Sequence, residues 1–245
     1  MNVDRIYRKN LSADLETFEV KIKETDLLIS VEPNRIGPEI REKIQQYTYG
    51  LRQELETYLA EDPDFQITLS PYLIYTGAPV IAQKMAKYAN IAGVGPMAAV
   101  AGGFAEMVGE YVGQFSPEVI VENGGDIYLK SRKPRIVGIF AGMSPFSNRI
   151  GLKLFPRQMP LGVCTSSGTV GPSLSFGKAD AAIILAKSAF LADAAATAVG
   201  NRVNSPEDFD LALACAKKID GIHGIVIIKD DKMAAWGAVE VVPIK

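Results

Sequence analysis

The segment SAFLADAAATAVGN, residues 188–201, places one carboxylate and one hydroxyl in a run of small apolar residues. Asp193 and Thr197 are four positions apart, so on a helix their side chains share one face, one turn apart. The alanines between them let another group approach the helix backbone closely. The segment therefore predicts a helix whose polar pair is either a ligand site or part of local helix hydrogen bonding.

The Asp193 and Thr197 oxygens suit a magnesium ion. Mg²⁺ binds one or two carboxylates, keeps several waters and completes its octahedron with phosphate oxygens. Two structural alternatives compete with this interpretation. Asp193 can cap a helix, and Thr197 can bond back to the carbonyl four residues earlier. Spacing alone leaves all three open, because so short a pattern occurs often by chance.

Composition limits the classes of protein to consider. The chain has 245 residues, 48% of them hydrophobic, which is enough for one large domain or two closely packed lobes, about 1–135 and 136–245. Lys and Arg total 26 against 28 Asp and Glu, so no charge excess favours nucleic acid or an anionic membrane. We expect neither partner, whereas a homo-oligomer is compatible with this composition.

Cysteine content and hydropathy indicate a cytoplasmic protein. Only Cys164 and Cys215 are present, far apart, which argues against a disulfide scaffold. Residues 1–18 carry charges throughout and lack the apolar core of a secretory signal. The uncharged run 89–105 is shorter than the roughly 20 apolar residues of a membrane span.

Hydrophobic periodicity predicts a mixture of helices and antiparallel hairpins. Helices are expected at 37–60, 79–90, 97–115, around Asp193 and at 206–219, and hairpins at 18–31, 118–131 and 223–242. Further strands are expected at 134–142, 149–155, 160–167 and 179–187. This order favours an α+β fold over a doubly wound parallel sheet. Because helices 97–115 and 206–219 each lead into a hairpin, we expect two similar helix-plus-hairpin repeats packed as one unit.

The second motif is VENGGDIYL, residues 121–129. Asn123, Gly124, Gly125 and Asp126 place two glycines at a strand end, where a ligand can lie against the backbone and Asp126 can accept hydrogen bonds from it. The alternative is an ordinary hairpin turn, for which Asn-Gly is a strong signal.

The third motif is GVCTSSGTVGPSLSFG, residues 162–177. A strand enters a loop rich in hydroxyls and backbone N–H groups, which can cradle a phosphate or a flavin edge. It is not a Walker motif, because no Gly-Lys-Ser/Thr order is present. The predicted pocket residues of this loop are Thr165, Ser166, Ser167 and Gly168.

Two residues are candidates for other chemistry. Cys164 stands at the mouth of the loop, where oriented N–H dipoles can lower a thiol pKa, although a buried cysteine packed as a small hydrophobe is the competing interpretation. His223 is the only histidine, and we interpret it as a structural residue before a strand.

Taken in order, the motifs resemble the ApbE superfamily, whose best-known members are Mg²⁺-dependent FAD:protein FMN transferases. The matching segments are AVAGGFAEM at 99–107, ENGGDIYL at 122–129, CTSSG at 164–168 and ADAAATAVGN at 192–201. The resemblance covers residues 97–203 and implies a T-fold-like ApbE architecture. It is closest to a short, functionally uncharacterised branch whose members are cytoplasmic.

The resemblance implies a metal site and a nucleotide. Asp193 and Thr197 look like the metal-ligand pair, with a backbone carbonyl near Ala101 as the third ligand. The implied cofactors are Mg²⁺ and FAD or FMN. Two family features are absent: Gly102 stands where the family has the Lys of its Lys-Gly pair, and the His-x-x-Asp-Pro-x-Thr-Gly segment is missing.

Three functions follow as hypotheses. The first is an Mg²⁺-dependent enzyme that binds a flavin or another nucleotide pyrophosphate and transfers or hydrolyses a phosphoryl-linked group. The second is a sulfur-transfer protein of sulfur amino-acid assimilation that carries a persulfide on Cys164. The third is a non-catalytic protein that senses a nucleotide in the same pocket.

Overall fold

An eight-stranded antiparallel sheet runs through the centre of the molecule, in the order β1-β2-β3-β4-β7-β8-β9-β10. The computed structural model describes residues 14–170 and 175–244. Its strands are β1 Glu16–Ile22, β2 Thr25–Val31, β3 Val119–Asn123, β4 Asp126–Lys130, β7 Leu161–Ser166, β8 Ala181–Ala186, β9 Ile222–Lys229 and β10 Lys232–Gly237. The predictions for residues 1–13, and for 171–174 of the hydroxyl-rich loop, lie outside this part of the chain.

Helices cover one face of the large sheet and a small sheet covers the other. The helices are α1 Pro38–Glu61, α2 Pro63–Ile67, α3 Val80–Ala92, α4 Val100–Val112, α5 Ala189–Gly200 and α6 Phe209–Lys217. The small sheet has the order β11-β6-β5, formed by β5 Arg135–Gly138, β6 Ile150–Leu154 and β11 Val241–Pro243.

Strand β8 shows why the molecule has three layers. Every residue of this strand is buried, which indicates a strand with both faces covered. Ala182, Ile184 and Ala186 pack into the core beneath the helices, and Ala181, Ile183 and Leu185 pack toward the small sheet. The two apolar cores therefore lie on opposite faces of one sheet.

The strand order contains the predicted repeat. In each half a hairpin, then helices, then a second hairpin follow one another, giving β1–β4 in the first half and β7–β10 in the second. The halves join by antiparallel pairing of β4 with β7, for example Ile127 with Val163. The α+β ApbE-like fold class is confirmed, whereas the division into lobes near residue 135 stays a prediction.

Three element boundaries differ from the prediction. The helix expected at 97–115 is a 3-10 turn, Pro96–Ala99, followed by α4. The helix expected at 206–219 likewise begins as a 3-10 turn, Pro206–Asp208. The hairpin expected to reach residue 242 ends at Gly237, whose φ of +87° turns the chain toward the small sheet.

The described residues contain no single helix that is long and apolar enough to cross a membrane. Only a pair of consecutive helical segments, Val80–Ala92 and Pro96–Val112, reaches the length and apolar composition of a span within the described residues. The two segments are bent by 102° relative to each other.

Candidate functional site

Asp193 and Thr197 are the two residues of α5 that reach partly out of the core. The other ten residues of this helix are buried. The pair therefore occupies one face of a helix whose remaining surface is packed, as the four-residue spacing predicts.

The Asp193 carboxylate caps a neighbouring helix. Its Oδ2 accepts a hydrogen bond of 2.8 Å from the N–H of Gly102, and the N–H of Ala101 also donates to this carboxylate. Both donors lie in the first turn of α4, whose own N-cap residue, Ala99, has no side-chain acceptor. The alternative that Asp193 caps its own helix is wrong, because α5 begins four residues earlier.

The Thr197 hydroxyl does not bond back to the carbonyl four residues earlier, which is one of the alternatives that the sequence leaves open. Among residues 14–170 and 175–244 it has no hydrogen-bond partner. Thr48 of α1, in contrast, donates to the carbonyl of Ile44 at 2.8 Å. The Thr197 oxygen is thus available to another ligand.

Helices α4 and α5 cap each other. Glu106, on the second turn of α4, accepts hydrogen bonds from the N–H of Ala189 at 2.6 Å and the hydroxyl of Ser188 at 2.7 Å. A Cβ at Gly102 would overlap the carbonyl oxygen of Ala189, so the helix backbones touch at this crossing. The lysine that the family has at this position does not fit here without a shift of α5.

Sequence reasoning missed Glu106 and Ser188. A glutamate inside the apolar helix predicted at 97–115, and a serine directly before an alanine-rich run, were the available signals. Their pairing spans 82 residues of sequence, and no local pattern predicts it.

Lys84 neutralises one of the two capping carboxylates. Its ammonium lies 3.5 Å from Oε1 of Glu106 and equally far from Oε2 of Glu110, so the two carboxylates share it. In the described part of the chain, Asp193 has no lysine, arginine or histidine within ion-pair distance. Two carboxylates with matching capping roles therefore differ in their counter-charge.

The Asn-Gly-Gly motif forms the tight turn between β3 and β4. Gly124 and Gly125 have φ values of +67° and +105°, and Asn123 pairs with Asp126 across the hairpin. The hairpin interpretation is confirmed. A Cβ on either glycine would meet nothing within 4 Å, so open space adjoins the turn.

Asp126 lies beneath this turn, in contact with β7. Its Oδ1 accepts a hydrogen bond of 3.2 Å from the N–H of Thr165. Burial raises the pKa of Asp126 to about 7, and the Glu122 carboxylate adds to the rise. Burial also raises the pKa of Asp193 well above its usual range, with the Asp126 charge as the next cause. The two carboxyls are close enough to repel each other.

Asn123 reaches from the turn to the predicted third ligand. Its Nδ2 donates to the carbonyl oxygen of Ala101 at 3.1 Å. Ala101 lies in the first turn of α4, so its carbonyl oxygen also accepts the intrahelical hydrogen bond from four residues on, and a metal ion would share that oxygen with both donors. The structure thus gathers Ala101, Asn123, Asp126 and Asp193 at one end of the sheet.

The loop after β7 differs from the predicted phosphate cradle. The N–H of Gly168 donates to Ala179, and those of Thr169 and Val170 donate to the Ser167 hydroxyl. These donors are therefore already used. The hydroxyls of Thr165 and Ser166, at the end of β7, have no hydrogen-bond partner among the described residues. Adjacent strand residues point to opposite faces, so Ser166 shares the helix-covered face with Cys164, whereas Thr165 lies on the face of Val163.

Cys164 lacks the properties of a nucleophile. It is fully buried, and its Sγ donates to the carbonyl of Ala189 at 3.4 Å. Burial raises the pKa of this thiol well above its ordinary value, and the Asp126 and Asp193 charges act in the same direction. The predicted lowering by N–H dipoles is wrong, because the nearest charged groups are carboxylates.

His223 lies within β9, half-buried, rather than before it. Burial lowers its pKa, and nearby Lys187 adds to the effect. A cleft of about 570 Å³ is lined by residues such as Gln114, Arg132 and Met159, at the far end of the β3–β4 hairpin from the glycine turn. Neither feature adjoins Asp193.

The described residues contain no group of three or more His, Cys, Asp or Glu side chains able to hold a metal. The predicted donor set is of another kind, since it combines one carboxylate with a hydroxyl and a backbone carbonyl. Hard oxygen donors of these types, with water, are what Mg²⁺ accepts.

The fold and the position of these residues define an ApbE-like α+β protein. The flavin transferase ApbE of Vibrio cholerae has a similar structure, with a TM-score of 0.60 and 14% identity over 91% of this chain and 98% of that one. The apo flavinyl transferase ApbE of Pseudomonas stutzeri gives a TM-score of 0.59 and 14% identity, covering 91% and 93%. At such identity the likeness shows the fold alone.

Sequence similarity defines the family. The family described as AbpE bacteria matches residues 8–225. A UPF0280 protein of Methanosarcina acetivorans is 46% identical over 190 residues, which is 77% of this chain and 75% of the relative. One of Methanococcus vannielii is 43% identical over 219 residues, 87% of each chain. The chain belongs to this family, as the order of its motifs predicts.

Proposed function

We propose that the protein binds one Mg²⁺ through Asp193, Thr197 and the Ala101 carbonyl, and holds a nucleotide pyrophosphate against it. The nucleotide is FAD, FMN or another of the same class, and the activity is transfer or hydrolysis of a phosphoryl-linked group. Flavin transfer is what the names of the similar ApbE structures describe.

The absence of a counter-cation beside Asp193 and Asp126, within the described residues, carries the proposal. This carboxylate lies in an alanine-rich helix beside Asp126, and the described residues supply no cation to either group. Asp126 is buried and Asp193 is partly buried, and two carboxyls so close together favour protonation of at least one of them unless a cation neutralises them. Glu106, with the same capping role, has Lys84 as its counter-ion.

The donor types support magnesium over softer metals. A carboxylate, a hydroxyl and a carbonyl are hard oxygen ligands, and the fully buried Cys164 thiol retains its proton, which makes it a poor ligand. When bound, the ion would neutralise negative charge on phosphate oxygens. Within the chain, Asn123 orients the Ala101 carbonyl, and the first turn of α4 orients the Asp193 carboxylate.

The open glycine turn and the end of β7 support the position of the nucleotide. Space adjoins Gly124 and Gly125, so a phosphate or sugar can approach the backbone there. The Ser166 hydroxyl, at the end of β7 on the helix-covered face near Gly200, can donate a hydrogen bond to a phosphate oxygen, and the Thr165 hydroxyl lies at the same strand end on the other face. No observation favours sulfur transfer, because the Cys164 thiol is buried and protonated.

Calorimetry with MgCl₂, and then with FAD, FMN and ATP with and without Mg²⁺, tests the proposal. Asp193→Asn keeps an oxygen that can accept from Gly102 but removes the charge, so we expect Mg²⁺-dependent binding to weaken at least about tenfold. Glu106→Gln removes the equivalent charge from the other cap and should leave binding intact. Equal binding by wild type and Asp193→Asn would refute the proposal, and mass spectrometry of the incubated nucleotide separates an enzyme from a binding protein.

A further inference from the structure

An exposed aromatic residue, Phe176, is anchored to the end of the helix that carries Asp193 and Thr197. Phe176 lies in the loop between β7 and β8, and 61% of its surface is exposed. Large exposed apolar side chains are common singly, so exposure alone carries no functional meaning. Two further observations distinguish Phe176.

The backbone that carries Phe176 is fixed. The N–H of Phe176 donates to Oδ1 of Asn201, directly after α5, at 2.9 Å. The next residue, Gly177, packs closely against Gly168 and Gly200. A Cβ on Gly177 would overlap the carbonyl oxygen of Gly200, and a Cβ on Gly168 would overlap the carbonyl oxygen of Gly177. The backbone of this residue is therefore held in place, while most of its surface is exposed.

That support belongs to the candidate site. Gly168 is one of the predicted pocket residues, and Asn201 is one helical turn beyond Thr197. At 1.5 Å per residue, Asn201 lies about 6 Å from Thr197 and about 12 Å from Asp193 along the helix axis. The sugar or ribityl chain of a nucleotide spans a comparable distance between its phosphates and its ring.

We propose that Phe176 is the surface on which the ring system of the bound nucleotide stacks. The inference rests on the proposed function and adds a specificity-determining residue to it. A flat heterocycle, either isoalloxazine or purine, gains face-to-face contact with a benzyl ring, whereas inorganic pyrophosphate gains nothing. Phe176 would thus distinguish a nucleotide from its bare phosphates.

Calorimetry in the presence of Mg²⁺ with FAD, ATP and pyrophosphate tests this role. We expect Phe176→Ala to weaken FAD or ATP binding about tenfold or more and to leave pyrophosphate binding unchanged. Phe176→Trp, which keeps an aromatic ring at this position, should bind the nucleotides as wild type does. Tyr49→Ala removes a ring of similar exposure, 49%, from α1 and serves as the control that changes none of these affinities.

The outcomes separate the two proposals. Suppose that wild type binds Mg²⁺-pyrophosphate. If Phe176→Ala then binds all three probes as wild type does, or loses affinity for all three equally, the stacking role is wrong and the magnesium site stands. If wild type binds none of the probes in a Mg²⁺-dependent way, both proposals are wrong. Circular dichroism of each variant confirms that it is folded.

Discussion

Glu106 and Asp193 exchange roles across the crossing of α4 and α5. Each carboxylate accepts an N–H from the first turn of the other's helix, Glu106 from Ala189 and Asp193 from Gly102. A carboxylate at a helix N-terminus is favourable, so both contacts stabilise the helix pair. Only Glu106 also has a lysine within ion-pair distance in the described chain, and this difference makes the two residues a matched pair for experiment.

Substituting the two caps should change stability in different ways. We expect Glu106→Ala to lower the free energy of unfolding by about 1–3 kcal/mol, because it leaves buried donors of Ser188 and Ala189 unpaired. Asp193→Asn in the presence of a chelator should cost less, since the amide oxygen can still accept the hydrogen bond from Gly102. Urea unfolding measures both, and a larger loss for Asp193→Asn would contradict this.

The stability of the metal-free protein should fall as the pH rises. The folded pKa of Asp126 is about 7 against an ordinary 3.8, so between those values the folded state binds more protons than the unfolded state. In that window each step up in pH favours unfolding. We expect Asp126→Asn to reduce this dependence between about pH 4 and about pH 7, as measured by urea unfolding with a chelator.

Asp208 provides the control for the pH experiment. Backbone N–H groups of Asn204 and Ser205 donate to its carboxylate and lower its pKa. Its stabilising contribution is therefore lost only in acid, below the window above. Asp208→Asn should leave the slope unchanged, and a parallel change in both variants would point to a general charge effect.

Replacing Thr197 should affect ligand binding and little else. Its hydroxyl has no partner in the described structure, so Thr197→Val should change stability by less than about 0.5 kcal/mol and weaken Mg²⁺ binding. Thr48→Val loses a buried hydrogen bond to Ile44 and should cost about 1 kcal/mol with Mg²⁺ binding unchanged. The opposite pattern in calorimetry and urea unfolding would argue against a ligand role for Thr197.

Gly102 should not tolerate a side chain. A Cβ there would overlap the Ala189 carbonyl, so Gly102→Ala should destabilise the protein by about 1–3 kcal/mol despite the higher helix propensity of alanine. Gly50, in the exposed part of α1, has open space at its Cβ, so Gly50→Ala should stabilise by about 0.5–1 kcal/mol. Thermal unfolding of the two variants gives the signs.

The two cysteines should differ in reactivity. Cys215 is partly exposed, whereas Cys164 is buried with a raised pKa. Iodoacetamide should therefore label Cys215 in the native protein and Cys164 only after unfolding. Rapid labelling of native Cys164, detected by peptide mass spectrometry, would restore the sulfur-transfer hypothesis.

Periodicity predicted most of the elements but not the layers. The amphipathic α1 and the Asn-Gly-Gly hairpin are local features, and the structure confirms both. Local patterns do not predict which strands pair, because that choice depends on contacts between residues distant in sequence. Examples are the pairing of β4 with β7 and the separate sheet of β5, β6 and β11. The fully apolar β8 was a signal that both sheet faces are covered.

The candidate site was predictable where it rests on spacing. Asp193 and Thr197 share one helix face because of their four-residue interval, and the structure places them as expected. Other features of the site depend on burial and tertiary packing. They are the raised pKa of Asp126, the hydrogen bond from Asn123 to Ala101, and the hydrogen bonds that already occupy the N–H groups of the loop after β7. Residue types alone carry no such information.

The β4–β7 seam has a consequence for split forms of the chain. Ala101, Asn123 and Asp126 come from one side of this seam, and Thr165, Asp193 and Thr197 come from the other. If the proposed magnesium site exists, a polypeptide cut between β4 and β7 would separate the Ala101 carbonyl from Asp193 and Thr197. Mg²⁺ would then bind tightly only when the two separately expressed fragments associate, so Mg²⁺ affinity would measure their reassembly.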